Sequence, residues 1–317
     1  MNRIINVNGK GILNLKRNIL LVIGLTSLLL MAALAGCSST GTEKQNVTAP
    51  PTETSIKVGG SSTLSPIIAK CADNFTEEYK TWNKVDPSLP EEPIVIFVST
   101  GGSGFGVKST IDGTFDLGLV ARNIKDEEKS ELKNGKTFQI GSDVLTIAVN
   151  PKNPVATIKP DISREELKKI FGGEITTWKQ LDPALPNKNI VVAVRDLGGG
   201  ASEIFDNAVM KGTPISKDAQ QIPSMGALAG KIMDNEMAIG YVSSGLVNQN
   251  PDKLIALTVD GIAPTLENIK SGKYDIGRPL LIITKSTPTA KQQAFIDYLM
   301  SDKGLTVVED LGYIPAK

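Results

Sequence analysis

Four turns of this chain gather glycines, hydroxyls and arginines in patterns suited to holding a small anion. They are Gly59-Gly60-Ser61-Ser62-Thr63-Leu64, Ser99-Thr100-Gly101-Gly102-Ser103-Gly104-Phe105-Gly106, the end of DLGLVAR at Arg122, and Arg195-Asp196-Leu197-Gly198-Gly199-Gly200-Ala201-Ser202. Glycine lets backbone N–H groups approach a ligand closely. A helix that starts just after such a turn adds unpaired N–H groups and the positive end of its dipole. A guanidinium beside a carboxylate is a fixed fork of donors that matches a tetrahedral oxyanion. Other chemistries fail on composition or spacing. The 317 residues contain no histidine, which removes Ser-His and Cys-His catalysis and histidine-ligated zinc. Two cysteines are too few for a Cys₄ metal site. No G-x-x-x-x-G-K-[ST] occurs, no turn is a clean G-x-G-x-x-G, and Phe105 stands where G-x-S-x-G needs its last glycine. The reading is a binding site with no catalytic residue, no metal and no cofactor.

The elements that must position these turns are short and alternate in type. Apolar, β-branched runs at 56–59, 94–98, 115–120, 144–149, 190–194, 238–242, 254–257 and 280–284 predict strands buried on both faces. Between them lie helix starts: Ser65-Pro66, the capping box from Ser163 to Glu166 with Gly172 at its far end, and Thr287-Pro288 ahead of a helix that carries Phe295, Ile296 and Leu299 inward. Ser103 is either a ligand contact or a cap for a helix starting near Val107. Ile68, Cys71, Phe75 and Tyr79 share one helix face, so Cys71 is expected to be a buried small hydrophobe. Trp82 and Trp178 are expected to pack, and the charged run 125–133 to be a solvated helix face. The alternation predicts an α/β fold with mostly parallel sheets, and no repeat has a period of 20–50 residues. Ligands of such sheets sit beyond the carboxyl ends of the strands, where these turns lie.

The N-terminal part reads as an address. Arg3, Lys10, Lys16 and Arg17 precede the uncharged run 19–35, which ends in Leu34-Ala35-Gly36-Cys37. A basic segment followed by an apolar one is a secretory signal, and the ending resembles a lipobox, with cleavage before Cys37 and lipid on its sulfur. An uncleaved anchor helix is the alternative. Residues 1–36 are thus a signal peptide, and 37–55, rich in Ser, Thr and Pro, a flexible tether. Removing four of the 34 basic residues leaves 30 against 34 acidic ones, a net charge of −4. An anion must therefore be held by local donors, and nothing recruits nucleic acid.

Together these marks resemble the phosphate-binding proteins that serve phosphate ABC transporters, of the type 2 periplasmic-binding-protein superfamily. The resemblance runs over most of 56–317 and rests on GGSSTLSP at 59–66, STGGSGFGVKSTIDGTFDLGLVAR at 99–122, IFGGEITTWKQLDP at 170–183, VRDLGGG at 194–200, GALAGKIMDNEMAIGYVSSG at 226–245, and the tail segments YDIGRPLLIIT and YLMSDKGLTVVEDLGYIP. It implies two α/β lobes, 56–148 plus 244–317 and 149–243, joined by strands crossing near 148–150 and 241–243, with the ligand in the cleft between them. It implies inorganic phosphate as ligand, ABC permease and ATPase subunits as partners, a monomer, and a lipid-held place on the outer face of the cell membrane. Carried over by position, the Thr63 hydroxyl, the Leu64 N–H, Ser103, Arg122 and Arg195 contact the anion, and Asp196 pairs with Arg195. Three positions depart from the family pattern: Gly199 and Ala201 stand for Ser and Thr, and Ala121 for Ser or Asp. A hydrogen bond to a charged partner contributes about 1.5–3 kcal/mol, so three lost side-chain groups weaken binding unless the backbone of Gly199 and Gly200, or Ser202, compensates. The departures keep two alternatives open: another oxyanion such as sulfate, molybdate or tungstate, or a sensor or surface protein with a degraded site.

Overall fold

The computed structural model describes residues 55–317, apart from Lys133 and Gly198. The signal segment, Cys37 and all of the tether except Ser55 lie outside the described residues. The strands described are β1 (Ser55–Ser61), β2 (Val95–Gly101), β3 (Leu117–Val120), β4 (Thr137–Val149), β5 (Asp161–Ile162), β6 (Val191–Arg195), β7 (Gln220–Ile222), β8 (Ala238–Ser243), β9 (Ile255–Ala256), β10 (Thr258–Val259), β11 (Gly277–Ile283) and β12 (Ile314–Pro315). The main path of hydrogen-bonded neighbours is β2-β1-β3-β11-β4-β8-β6-β7. β1 pairs in parallel with β2 and β3, and β6 in parallel with β7 and β8. β3 and β8 are buried along their whole length, as their unbroken apolar runs require.

Two main hydrophobic cores lie along this path, beside a smaller cluster of Val107, Val120, Ile124, Leu132, Leu281 and Ile283. One holds Val58, Ile68, Phe75, Trp82 and Leu117, with Leu280 and Ile282 from β11 and the helix residues Phe295 and Leu299. The other holds Ile147, Phe171, Trp178, Val194, Phe205, Ile232 and Val242. β4 belongs to both sides: its first part pairs with β11, and Leu145 to Val149 pair with β8. The second core also takes in Leu254, Leu257, Val259, Tyr274 and Ile276. This differs from the expected return to the first lobe at 244. β9 pairs with β4, β10 pairs with β5, and the chain re-enters the first core only on β11. The passages between the sides therefore run through β4 near Val144 and through the approach to β11, where the Leu145 N–H donates to Ile276 O at 2.8 Å.

The helices that matter for the site are α1 (Ser65–Tyr79), α2 (Ser103–Ile111), α3 (Asp126–Leu132), α4 (Arg164–Gly172), α5 (Gly200–Phe205), α6 (Met225–Met233) and α7 (Ala290–Met300). The capping box at Ser163 and Glu166 forms as read, with the left-handed residue one position later, at Gly173. α2 starts at Ser103 itself, four residues before the expected point, and α7 is opened by a Thr289–Gln292 capping box rather than by Thr287-Pro288. Ser65 is inside α1; its hydroxyl donates to Ser61 O and Ser99 O and ties the helix start to β1 and β2.

The two sides share a repeated segment. Thr81, Trp82, Asp86, Pro87, Leu89, Pro90, Ile94, Val95 and Val98 recur at 177, 178, 182, 183, 185, 186, 190, 191 and 194. The hydrogen bonds recur with them. Trp82 N–H donates to Glu92 O and Trp178 N–H to Lys188 O, and the Asp86 and Asp182 carboxylates cap the turns at Ser88 and Ala184. Both tryptophans are fully buried. Each copy runs into a strand, a glycine-rich turn and a helix: β2 into α2, and β6 into α5. The repeat thus delivers one such turn from each side.

Candidate functional site

Three helices begin at the carboxyl ends of strands: α1 after β1, α2 after β2 and α5 after β6. Their N-cap residues, Leu64, Gly102 and Gly199, supply no side-chain cap. By contrast α4, α6 and α7 are capped by Ser163, Ser224 and Thr289. A helix start leaves N–H groups without partners in the helix, and here no cap side chain covers them.

The structure brings these turns together across the two sides. The Ser62 hydroxyl accepts from Arg195 Nη1 at 2.8 Å and from the Met225 N–H at 3.1 Å. A Cβ placed on Gly200 would lie 2.5 Å from Ser103 Oγ and 3.2 Å from Ala121 O, so α5 touches α2 and the end of β3 only because residue 200 is glycine. Asp196 Oδ2 is the nearest atom to a Cβ placed on Gly102, at 3.7 Å.

Thr63 is buried, and its Oγ1 accepts from Arg278 Nη2 at 2.9 Å. The Leu64 N–H donates to Ser61 O at 3.1 Å and closes the turn. Ser103 is buried at the start of α2, and its Oγ accepts the Ala121 N–H at 3.0 Å. Arg195 donates from Nε to Ile222 O at 3.0 Å and from Nη2 to Pro223 O at 2.9 Å and to Asp196 Oδ1. Gly199, Gly200 and Ala201 are buried in the turn and first residues of α5. Ser202 does not compensate for Ala201. Its hydroxyl is turned back onto Arg195 O and Asp196 O at 3.2 and 2.8 Å, and onto the Tyr241 hydroxyl at 2.9 Å. Tyr241 also accepts the Arg195 N–H at 3.0 Å, and burial raises its pKa.

Arg122 is held away from open solvent by two acids. Its Nη1 and Nη2 meet the Glu128 carboxylate at 2.7 and 2.6 Å, and its Nε lies 3.4 Å from Glu203. Burial opposes both charges of the Arg122–Glu128 pair. It is the largest single influence on each, but their mutual hydrogen bond together with the attraction of neighbouring opposite charges outweighs it, raising the arginine's pKa and lowering the glutamate's. The run 125–133 is thus more than a solvated face, since Glu128 on α3 is the partner of a buried arginine. Lys125 reaches Glu203 at 3.1 Å, so Glu203 on α5 holds two cations from the other side.

Sequence reasoning passed over Ser62, Asp143, Arg278, Glu128 and Glu203. Ser62 lies in GGSSTLSP and Arg278 in YDIGRPLLIIT, but only tertiary contacts give them partners. Among the described residues no group of three or more His, Cys, Asp or Glu side chains could hold a metal ion, and no helix is long and apolar enough to cross a membrane.

Two α/β sides linked through β4 and β11, with bare helix starts and paired arginines meeting between them, define a two-lobed binding protein for a small anion. Residues 46–303 match the model of the PBP superfamily domain. The chain is 30% identical over 274 residues to the phosphate-binding protein PstS of Staphylococcus saprophyticus, covering 83% of this chain and 80% of that one. It is 30% identical to the PstS of Staphylococcus haemolyticus over 80% of this chain and 79% of the relative. Among solved structures, an ABC-type phosphate transport receptor from Vibrio cholerae matches with a TM-score of 0.63 and 25% identity, over 82% of this chain and all of that one. PstS from Borrelia burgdorferi matches with a TM-score of 0.53 and 25% identity, over 84% of this chain and all of that one. The chain belongs to the PBP superfamily and, within it, to the PstS-type phosphate-binding proteins.

Proposed function

We propose that this chain captures inorganic phosphate between its two lobes and delivers it to the permease and ATPase subunits of an ABC importer, as a non-enzymatic, monomeric lipoprotein on the outer face of the cell membrane. The observation that carries the reading is the meeting of three uncapped helix starts with Thr63, Ser103 and the Arg195–Asp196 pair. Each arginine at the site is matched by an acid, so the ligand's charge is met by oriented N–H and O–H donors rather than by net positive charge. Such preorganised donors bind an anion strongly because they need not reorganise when it arrives. Arg195 belongs to one lobe and its Ser62 partner to the other, so closing the lobes completes the donor set. The lipobox residue Cys37 supplies the anchor.

Titration calorimetry on the full chain in detergent tests this, after unfolding and refolding to remove carried ligand. Phosphate binding with sulfate silent is the expected result. Silence toward both anions overturns it, and binding of sulfate, molybdate or tungstate in place of phosphate transfers the reading to another oxyanion. That second reading has one specific support: Ala121 is buried and offers no acceptor for the proton that phosphate carries and sulfate lacks. Asp196 Oδ2, facing Gly102, is the acceptor that we assign in its place.

A further inference from the structure

We propose that Arg278 is an anion-contacting residue of this cleft, held there by Asp143 and placed so that the Thr63 hydroxyl must act as a donor. The inference rests on the phosphate reading above.

Three buried guanidiniums border the site, and their nitrogens can be accounted for one by one. Arg122 gives Nη1 to Glu128 and Asn123 O, gives Nη2 to Glu128, and has Nε near Glu203. Arg195 gives Nε to Ile222 O, Nη1 to Ser62, and Nη2 to Asp196 and Pro223 O. Arg278 gives Nε to Asp143 Oδ2 at 3.0 Å, and Nη2 to the same oxygen at 2.7 Å and to Thr63 Oγ1 at 2.9 Å. Its Nη1 meets no hydrogen-bond acceptor among the described residues, although the side chain is only 2% exposed. Nη1 is not one of the buried atoms that lack a partner, so it keeps a path to solvent while the rest of the guanidinium is locked; a fixed guanidinium donor left open in this way points to a ligand. Thr63 makes the direction of that ligand clear. Arginine can only donate, so Thr63 Oγ1 is the acceptor in their bond and its own hydrogen remains to be given. An oxyanion beside Thr63 accepts that hydrogen and lies next to the same guanidinium.

Asp143 cannot be the anion's partner, because its capacity is filled. Oδ1 accepts from Ser243 Oγ at 2.9 Å, Ser244 N at 3.1 Å and Ser244 Oγ at 3.0 Å, while Oδ2 takes both Arg278 nitrogens. The nearby Tyr313 hydroxyl is buried and neutral, its pKa raised by burial and by the Asp143 charge. Asp143 lies on β4, Ser243 ends β8 and Arg278 lies on β11. The residue that sets the Thr63 hydroxyl is thus anchored on the strands that join the lobes.

The test compares the full chain with its R278K variant in detergent by phosphate titration, beside T63V and the double variant. Lysine keeps a positive charge opposite Asp143 but cannot place donors on Asp143, Thr63 and the anion at once. We expect R278K to fold with unchanged circular dichroism and to bind phosphate at least tenfold more weakly, with a much smaller effect when T63V is already present. A wild-type Kd in folded R278K overturns the inference and leaves the phosphate reading standing. Absence of phosphate binding by the unsubstituted chain overturns both. If R278K does not fold, the unsubstituted chain decides: the Arg278 guanidinium resonance, assigned through its side-chain carbons, must shift as phosphate is added, and no shift at saturation overturns the proposal.

Discussion

Arg122, Arg195 and Arg278 each sit in a site from which water is largely removed, and each meets a carboxylate. Removing one partner of such a pair costs far more than the pair contributes, because a lone charge stays behind. Conservative variants therefore read the site better than alanine does. Asp196 accepts from Arg195 through Oδ1 and faces Gly102 with Oδ2. Asn in its place keeps an acceptor for Arg195 but turns a donor toward the ligand. D196N is expected to lose at least tenfold of any preference for phosphate over sulfate in competition titrations. An equal loss for both anions limits Asp196 to holding Arg195. In the sequence, Thr63, Ser103, Arg195 and Asp196 stand out as candidates because turn, hydroxyl and charge stand side by side. Arg278 does not, since its partners Asp143 and Thr63 are 135 and 215 residues away along the chain.

Among the elements, the strand-to-helix joints carry the closest tolerances. Gly60, at φ 136°, has Leu119 O 2.4 Å and Gly106 Cα 2.8 Å from where a Cβ would sit. A side chain there is strained and also collides with backbone, so G60A is expected to abolish cooperative thermal unfolding of a native fold. Gly200 is different. Its φ lies outside the left-handed region and it opens a helix, so alanine suits its own backbone. The obstacle is Ser103 and Ala121 O on the opposite side. G200A is expected to keep its melting temperature within a few degrees and to weaken phosphate binding more than tenfold. Wild-type affinity in G200A means that the turns do not need this approach. Element types were readable from apolar runs and caps. Their limits were not where tertiary pairing lengthens them, as on β4, whose first residues Thr137 to Gln139 pair with β11 despite a mixed polar sequence.

For the whole molecule, buried ion pairs and the cores set how the protein responds to pH and to probes. Burial pushes the Glu128 carboxyl up, but the hydrogen bonds from Arg122 and the Lys125 N–H, with the charges of Arg122 and Lys125, together hold it below its ordinary value. A depressed carboxylate contributes stability that is present above the unfolded value and is lost as pH falls through the folded one. The melting temperature of E128Q is therefore expected to fall less than that of the unsubstituted chain between pH 5 and pH 3. Parallel curves over that interval show that the pair does not couple to folding. Cys71 reports on opening of the first core. Burial pushes its thiol up to about 12, so a thiol reagent at pH 8 is expected to label it only after unfolding.

The sequence by itself determined the alternation of strands and helices, the glycine-rich turns and the absence of histidine chemistry. These are local properties: periodicity, backbone freedom and residue type act within a few positions. It also contained the segment that starts at Thr81 and recurs from Thr177, visible once the structure set the two copies side by side. Only the tertiary structure decided where the chain passes between lobes, that Ser202 turns away from the cleft, and that Glu128 and Glu203 close on Arg122. Those outcomes depend on which distant groups compete for the same hydrogen bonds. Burial makes every unsatisfied donor and charge costly, so the winning partners are fixed by the packing of the whole chain.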